Sequence, residues 1–371
     1  MKSNSDLLYW IALLNTPGIG QITARRIKEQ VPTLHQAKEL EEADWLQKGL
    51  RHDIAQSLCD TLHKEEYVKI VDSLERTKVR IVLEADEHYP PSLRQIPHPP
   101  PLLFYVGQLE PFVTSVAIVG TRKCTSYGTR VAQEIAADVV KSGGVVISGL
   151  AYGIDHAAHV GAVNASGRTV AVLGSGVGEI YPREHRDLAR RIVEQGGAII
   201  SEFLPWEKPL RRNFPQRNRV ISGMAQAVVV VEAAKKSGSL ITAAYAVEQN
   251  RDVAAVPGSI FSVYSQGPHE LIADGAIPLF STHDVLHTLG LAVPASENSI
   301  LSEQFDSAHE KKLTDAEEMV LRELSTHAKM PGELSAALSV LGIPVGQLSM
   351  VLMQLELAGR IRRDSVGMYT I

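Results

Sequence analysis

The chain has 371 residues, a formal net charge of −5 and 44% hydrophobic residues, a composition typical of a globular protein with roughly two or three domains. Its start has no long apolar segment and nowhere do about 18 apolar residues run together, so neither export nor membrane insertion is expected. Two cysteines, Cys59 and Cys124, are too few for a disulfide framework or a cysteine-based zinc site. We therefore expect a cytoplasmic protein with free thiols.

Residues 1–78 are predicted to form a helical domain, because their apolar residues are spaced as in helices and no strand pattern occurs. The segment Pro17-Gly18-Ile19-Gly20 resembles the turn of a helix-hairpin-helix or SAM-like domain, whose glycine N–H groups bind nucleic-acid phosphates. The alternative is a plain helix–helix turn, which also favours glycine and proline. Charge does not decide between them, because residues 1–80 hold 12 Lys+Arg and 12 Asp+Glu.

Residues 79–290 are predicted to form an α/β domain. It opens with VRIVL, a proline-rich passage (89–101) that we expect to be non-helical, and LLFYVG. The apolar runs SVAIVG, GVVIS, RTVAVLG, GAIISEF, AVVVVEA and DVAAVPG then alternate with predicted helices near 127–142, 153–166, 184–195, 217–224 and 240–249. This alternation predicts a doubly wound parallel sheet that is covered on both faces and binds its ligand at the carboxyl ends of the strands.

The predicted strands end in small and polar residues, and helix N-termini at such ends favour anions. These ends are Gly120-Thr121-Arg122, Ser148-Gly149-Leu150-Ala151, Gly174-Ser175-Gly176, Ser201-Glu202 and Ser237-Gly238-Ser239. We expect the loops to converge on one edge of the sheet and to collect phosphate there. Glycine-rich packing turns are the alternative for each loop taken alone.

A basic segment precedes the last of these turns. Between positions 205 and 219 there are five cations, Lys208, Arg211, Arg212, Arg217 and Arg219, and one anion, Glu207. A solvated surface loop would explain a basic run alone. Phe214 lies among the arginines, and an aromatic face beside guanidinium groups offers base stacking next to phosphate pairing. The hypothesis is therefore a single-stranded nucleic-acid site, to which the backbone N–H groups of Ser237, Gly238 and Ser239 would contribute.

Other chemistries have little support. After Gly174 and Gly176 the third glycine of a dinucleotide fingerprint is replaced by Glu179, and the chain contains no P-loop motif. His156 and His159 have an i, i+3 spacing that occurs in metal sites, but no further ligands follow with a recognisable spacing. We expect neither a cofactor nor a metal.

Several blocks together resemble the DNA-processing protein A family, DprA/Smf. They are AIVGTR (117–122), SGLAYGID (148–155), GSG with IYP (174–182), FPQRNRVISG (214–223), VVEA with SGSLIT (230–242) and VPG (256–258). The resemblance implies an extended Rossmann-like domain that binds single-stranded DNA without catalysis and helps to load the RecA recombinase onto it, notably in natural transformation. It also suggests a homodimer through the last part of this domain, with Leu271, Ile277 and Phe280 as candidates, although core packing explains these residues equally well.

The same resemblance assigns DNA contacts to Arg122, Arg211 and Phe214. We extend the assignment to the other residues of the basic segment and of the turn that follows it: Lys208, Arg212, Arg217, Asn218, Arg219, Ser237, Gly238 and Ser239. For Arg217 and Arg219 a structural role is the alternative, because arginines at the start of a buried helix can anchor loops through carboxylates such as Glu202 or Glu232.

A polar linker is predicted over 291–312, and 313–371 resembles a winged helix with three helices (315–325, 331–340 and 344–358) followed by two strands. The third helix has no lysine or arginine, which argues against reading a DNA groove. Arg360, Arg362 and Arg363 at the wing are its main basic feature, so a protein contact or regulatory role is at least as well supported as DNA contact.

A second functional class remains open. Phosphoribohydrolases of the lysine-decarboxylase-like type have a related fold and a PGGxGTxxE motif whose glutamate is catalytic. Here the corresponding segment is SGSLITAA, with alanine where that carboxylate is expected. This absence favours the mediator over a nucleotide-binding or nucleotide-processing enzyme.

Overall fold

The structure is a computed structural model that describes residues 2–110, 112, 114–288, 315–324, 329–339, 345–357, 360–363 and 368–370. By its internal contacts the chain divides into two compact units, Met1–Pro294 and Ala295–Ile371. The predicted linker, 291–312, lies outside the described residues. Among the described residues, no helix combines the length and the apolar character needed to cross a membrane.

The first unit begins with short helices, as the apolar spacing predicts: α1 (Lys2–Asn15), α2 (Gln21–Gln30), α3 (Leu34–Glu39), α4 (Glu42–Gln47), α5 (His52–Lys64) and α6 (Glu66–Glu75). They enclose buried side chains such as Tyr9, Trp45 and Leu58. Their apolar core continues without a break to the sheet strand that contains Phe104. The domain boundary at residue 78 therefore stays a prediction. The turn between α1 and α2 contains Gly18 at φ +83°, a left-handed conformation that glycine adopts without strain.

The strands are β1 (Arg80–Leu83), β2 (Leu102–Gly107), β3 (Ser115–Val119), β4 (Val145–Ser148), β5 (Thr169–Val172), β6 (Ala198–Ser201), β7 (Ala227–Val230), β8 (Asp252–Ala255) and β9 (Ile277–Pro278). Within the described part of the chain they form one sheet in the order β1-β2-β6-β5-β4-β3-β7-β8-β9. The pairs from β6 through β9 are parallel, whereas β1 with β2 and β2 with β6 are antiparallel.

Helices cover both faces of this sheet: α7 (Pro91–Arg94), α8 (Ser126–Lys141), α9 (Ile154–Asn164), α10 (Arg186–Glu194), α11 (Asn213–Met224), α12 (Gly238–Glu248), α13 (Gln266–Ala273) and α14 (Asp284–Thr288). Alternate residues of one strand face opposite cores, since Val116 and Ile118 pack with α8 and α9 while Ala117 and Val119 pack with α7 and α11. The predicted α/β fold with a Rossmann-like, doubly wound sheet is confirmed.

One local prediction is wrong. The proline-rich passage over 89–101 contains the one-turn helix α7, which begins at Pro91. Proline is tolerated in the first turn of a helix because the N–H group that it lacks has no partner within the helix there.

The second unit contains α15 (Asp315–Leu324), α16 (Pro331–Ser339), α17 (Val345–Leu357) and the antiparallel pair β10 (Arg362–Arg363) and β11 (Tyr369–Thr370). These elements agree with the predicted helices and strands. Val320, Leu334 and Val351 are buried in the small core of this unit. Met350 and Met353 on α17 are 60% and 63% exposed.

Candidate nucleic-acid interface

The loops after β3, β4, β5 and β6 lie side by side at the carboxyl edge of the sheet, because these strands are parallel neighbours. Together they line one narrow cleft, which we call the edge cleft. Its lining residues are Arg122, Gly149, Ala151, Tyr152, Tyr181, Pro182 and Phe214. The structure therefore brings the Arg122 loop, two of the glycine-rich loops and the start of α11 to one place.

Arg122 and Phe214 form a cation–ring pair in the edge cleft. The guanidinium carbon of Arg122 lies 5.2 Å from the centroid of the Phe214 ring, within the range of a cation–π interaction. Phe214 comes from the first turn of α11, and its ring fills the space over Gly174. A Cβ atom at Gly174 would lie only 2.9 Å from Cδ1 of Phe214, so this approach requires glycine. Arg122 is exposed and Phe214 is half-buried.

Three further cations of the basic segment, Lys208, Arg211 and Arg212, are exposed. Among the described residues, no ion pair involves any of these three side chains or Arg122. The nearby carboxylate of Glu207 instead accepts a hydrogen bond of 3.0 Å from the Asn213 amide. The positive charge of this surface is therefore available to an anionic ligand.

The position of Arg217 does not favour our extension of the DNA contacts to this residue. It is 3% exposed, and its Nη1 donates hydrogen bonds to the carbonyl oxygens of Gly149, at 2.7 Å, and of Val172. Burial lowers the pKa of Arg217 to about 10, against the opposing effect of the buried Asp155 carboxylate. The side chain ties together the ends of β4 and β5 and has no surface for DNA. These contacts favour the alternative of a structural role, through backbone carbonyls rather than through Glu202 or Glu232.

Arg219 also has a structural position. Its guanidinium pairs with the buried carboxylate of Glu202 and donates 2.9 Å hydrogen bonds to the Gln21 side chain and to the carbonyl oxygen of His98. Burial raises the pKa of Glu202 to about 7, although Arg219 acts in the opposite direction. Because Gln21 belongs to α2, this network joins the N-terminal helices to the sheet within the first unit. The anchoring role through Glu202 is therefore what the structure favours for Arg219.

In the Ser237-Gly238-Ser239 turn, the side chain of Ser237 caps the N-terminus of α12. The Ser237 hydroxyl accepts from the Ser239 N–H at 3.4 Å, and the Ser237 carbonyl accepts from the Leu240 N–H at 3.1 Å. Fewer backbone N–H groups of this turn are therefore free to bind a phosphate than the sequence suggests. The Asn218 amide donates to the carbonyl oxygen of Gly238 at 3.2 Å, so Asn218 holds the turn beside α11.

The helical hairpin turn borders a different cavity. A groove of about 570 Å³ separates the segment 14–21 from the segment 202–216. Its charged lining residues are Glu202, Glu207 and Arg212. Because Arg219 pairs with Glu202, the remaining charges are those of Glu207 and Arg212, so this groove has no net positive charge.

The histidines beneath the edge cleft have structural partners. The Nδ1 atom of His159 lies 2.8 Å from the Thr169 hydroxyl, and burial lowers the pKa of His159 to about 3. The ring of His156 lies 4.5 Å from that of His185. Among the described residues, no group of three or more His, Cys, Asp or Glu side chains is arranged to hold a metal ion.

Three exposed aromatic residues near this surface were not among our candidates. Tyr152 and Tyr181 line the edge cleft and are each 41% exposed, and Trp206 in the basic segment is 45% exposed. The sequence already indicated these aromatic residues, because the tyrosines lie within the SGLAYGID and IYP blocks and Trp206 lies beside the cations. Aromatic residues interleaved with cations are typical of single-strand binding surfaces.

Comparisons with known proteins agree with this architecture. The family model for DNA recombination-mediator protein A matches residues 80–290, and that for the DprA winged helix domain matches residues 306–365. The protein Smf of Synechocystis sp. is 33% identical, with 98% of each chain covered. These matches extend over both units.

Two solved structures are also similar. DNA processing protein A from Streptococcus pneumoniae is 35% identical with a TM-score of 0.62, and the match covers 76% of this chain and 97% of that one. DNA processing protein A from Helicobacter pylori, studied for its single-stranded DNA binding mode, is 27% identical with a TM-score of 0.51, and the match covers 57% of this chain and 95% of that one.

Proposed function

Because this chain belongs to the DNA recombination-mediator protein A family, we propose that it binds single-stranded DNA and delivers it to a recombinase of the RecA type. The observation that carries the proposal is the Arg122–Phe214 pair at the edge of the sheet, and shortly before Phe214 in the chain lie exposed cations without ion-pair partners among the described residues. The cations neutralise phosphates, and the ring stacks on a base. The proposal places this activity in the cytoplasm, where the DNA is.

Single strands are preferred over duplex for a physical reason. A base can stack on Phe214 only when it is free of its neighbours, and each such stack contributes about 1–3 kcal/mol. In a duplex the base faces are already stacked within the helix. Arg122, Lys208, Arg211 and Arg212 supply the phosphate contacts in this proposal, and Arg217 and Arg219 hold the surrounding loops in place.

We propose a non-catalytic role. The Phe214 ring occupies the space over Gly174 in one of the glycine-rich turns at the edge of the sheet. The SGSLITAA segment also lacks the expected glutamate. Neither feature favours release of a base from a nucleotide. Incubation with nucleoside monophosphates, followed by chromatography for free base, tests this part of the proposal, and release of base would contradict it.

We propose that the protein forms a homodimer through the last part of the Rossmann-like domain. Phe280 is 82% exposed, and Ile260 and Phe261 are 77% and 90% exposed. Leu271 and Ile277 pack against the apolar cores of the unit, so core packing accounts for them. Contiguous exposed apolar patches mark protein–protein contacts, and in this proposal Ile260, Phe261 and Phe280 contribute to such a patch.

The central experiment is a titration with single- and double-stranded oligonucleotides at several salt concentrations. We expect tighter binding of single strands, and a log–log salt slope that Arg122→Ala and Arg211→Ala each reduce by about 0.7 for every phosphate that is no longer neutralised. Equal affinity for duplex, or wild-type slopes in both variants, would contradict the proposal. The rate of RecA filament formation on single strands, with and without this protein, tests delivery separately.

A further inference from the structure

We propose that Tyr152 and Tyr181 are base-stacking residues of the edge cleft and that they orient a bound strand, with its bases toward the tyrosines and its phosphates toward Arg122 and the exposed cations of the basic segment. This inference rests on the proposed function and deepens it, because it assigns two further ligand-binding residues and a strand orientation.

The first support is the exposure of the two rings. Each tyrosine is 41% exposed, whereas Tyr9, Tyr67 and Tyr89 of the same unit are fully buried and fill its core. The Tyr181 ring centroid lies 5.9 Å from that of Phe214, with the ring planes inclined at 59°. Tyr181 therefore adds a second aromatic surface beside the one that Phe214 presents. Adjacent aromatic surfaces suit successive bases of a single strand.

The second support is that Tyr152 is held in place before any ligand binds. Its hydroxyl donates a hydrogen bond of 2.8 Å to Oε2 of Glu184, and its ring meets the His185 ring edge-on at 5.1 Å. His185 is itself anchored, because its Nδ1 lies 2.8 Å from the Leu150 carbonyl oxygen. A ring fixed in this way loses little conformational freedom when a base stacks on it, so more of the stacking energy remains for binding.

The distribution of charge sets the orientation. Arg122 presents a cation without an ion-pair partner among the described residues, whereas the group that Tyr152 contacts is a carboxylate. Hydrogen bonds from its own backbone and from Tyr152 lower the pKa of Glu184, so this carboxylate is ionised at neutral pH. Arg183, its chain neighbour, offsets part of that charge. Even so, a phosphate is more favourable beside Arg122, and a neutral base is more favourable beside Tyr152.

The experiment compares Tyr152→Leu and Tyr181→Leu with Tyr127→Leu, by fluorescence anisotropy of a labelled single strand at several salt concentrations. Tyr127 is a matched control: it is 51% exposed and donates to Pro257, outside the edge cleft. We expect each cleft variant to bind about tenfold more weakly, about 1.4 kcal/mol, with an unchanged salt slope because the phosphate contacts remain. Tyr181→Phe, which keeps the ring, should bind within about twofold of wild type, whereas Tyr152→Phe, which keeps the ring but loses the bond to Glu184, should bind more weakly than wild type and more tightly than Tyr152→Leu.

An oligonucleotide with a run of abasic sites supplies the second measurement. On this strand the leucine variants should bind as wild type does, because there is no base for the ring to stack on. Tyr181→Trp offers a readout that needs no loss of the ring, since stacking should quench the fluorescence of the added tryptophan, measured as the difference from the wild-type protein with its Trp206, on normal but not on abasic DNA. Wild-type affinity of both leucine variants, an equal loss on abasic DNA, or no quenching would overturn the inference. Failure of the wild-type protein to bind single strands at all would overturn the proposed function as well.

Discussion

Replacing Arg217 should unfold the edge of the sheet rather than remove a DNA contact. Arg217 donates to the carbonyl oxygens of Gly149 and Val172, and the N–H of Gly149 donates to the buried Asp155 carboxylate at 3.2 Å. Hydrogen bonds to a charged group contribute about 1.5–3 kcal/mol each. The buried Asp155 carboxyl would also lose a nearby cation, although the two side chains form no direct ion pair. With two such hydrogen bonds lost, Arg217→Ala should lower the free energy of unfolding by roughly 3–6 kcal/mol.

Arg211→Ala is the matched control, since it removes an exposed arginine from the same basic segment. Its free energy of unfolding should stay within about 0.5 kcal/mol of wild type, while its salt slope for single-stranded DNA falls by about 0.7. Urea denaturation followed by circular dichroism measures the first quantity, and anisotropy titrations measure the second. If Arg217→Ala unfolds like the wild type and instead shows a reduced salt slope, Arg217 contacts DNA and the reasoning from its burial is wrong.

Four further expectations follow from the structure. Phe214→Leu, which keeps an apolar side chain but removes the π surface, should weaken single-strand binding by about 1–3 kcal/mol and leave duplex binding unchanged; wild-type affinity in an anisotropy titration would mean that Phe214 is only a core residue. Glu202 has a pKa raised from 4.5 to about 7 in the folded protein, so between these pH values the folded state binds more protons than the unfolded state and the free energy of unfolding should fall as pH rises. Glu202→Gln should abolish this fall, and a free energy of unfolding that changes with pH in the same way in the variant and the wild type would refute the prediction. Truncation after residue 291 should leave single-strand affinity nearly unchanged at matched salt, and a tenfold loss would assign DNA contact to the C-terminal unit. Phe280→Asp should shift the protein toward monomer in sedimentation experiments without changing its fold, and an unchanged mass would place any dimer contact elsewhere.

Much of this molecule follows from sequence alone. Continuous runs such as AVVVV form buried strands wherever helices cover both faces of a sheet, so the order of strands and helices was predictable from the apolar pattern. The loops of Arg122 and Phe214 were expected at one edge for the same reason, because parallel strands place their carboxyl ends together.

Tertiary structure decided which members of the basic segment face the solvent. Arg211 and Arg217 are the same residue type in the same basic segment, so the sequence does not distinguish them. In the structure α11 begins at Asn213, and Phe214 and Arg217, which are three residues apart, lie on the helix face that is directed toward the strand ends. Arg219 pairs with Glu202 because β6 and α11 bring these residues together. Tyr152 and Tyr181 share a cleft because β4 and β5 are neighbours in the sheet. Local patterns specify strands and helices, whereas burial and long-range contacts depend on how those elements pack, and packing is what separated the structural arginines from the exposed ones.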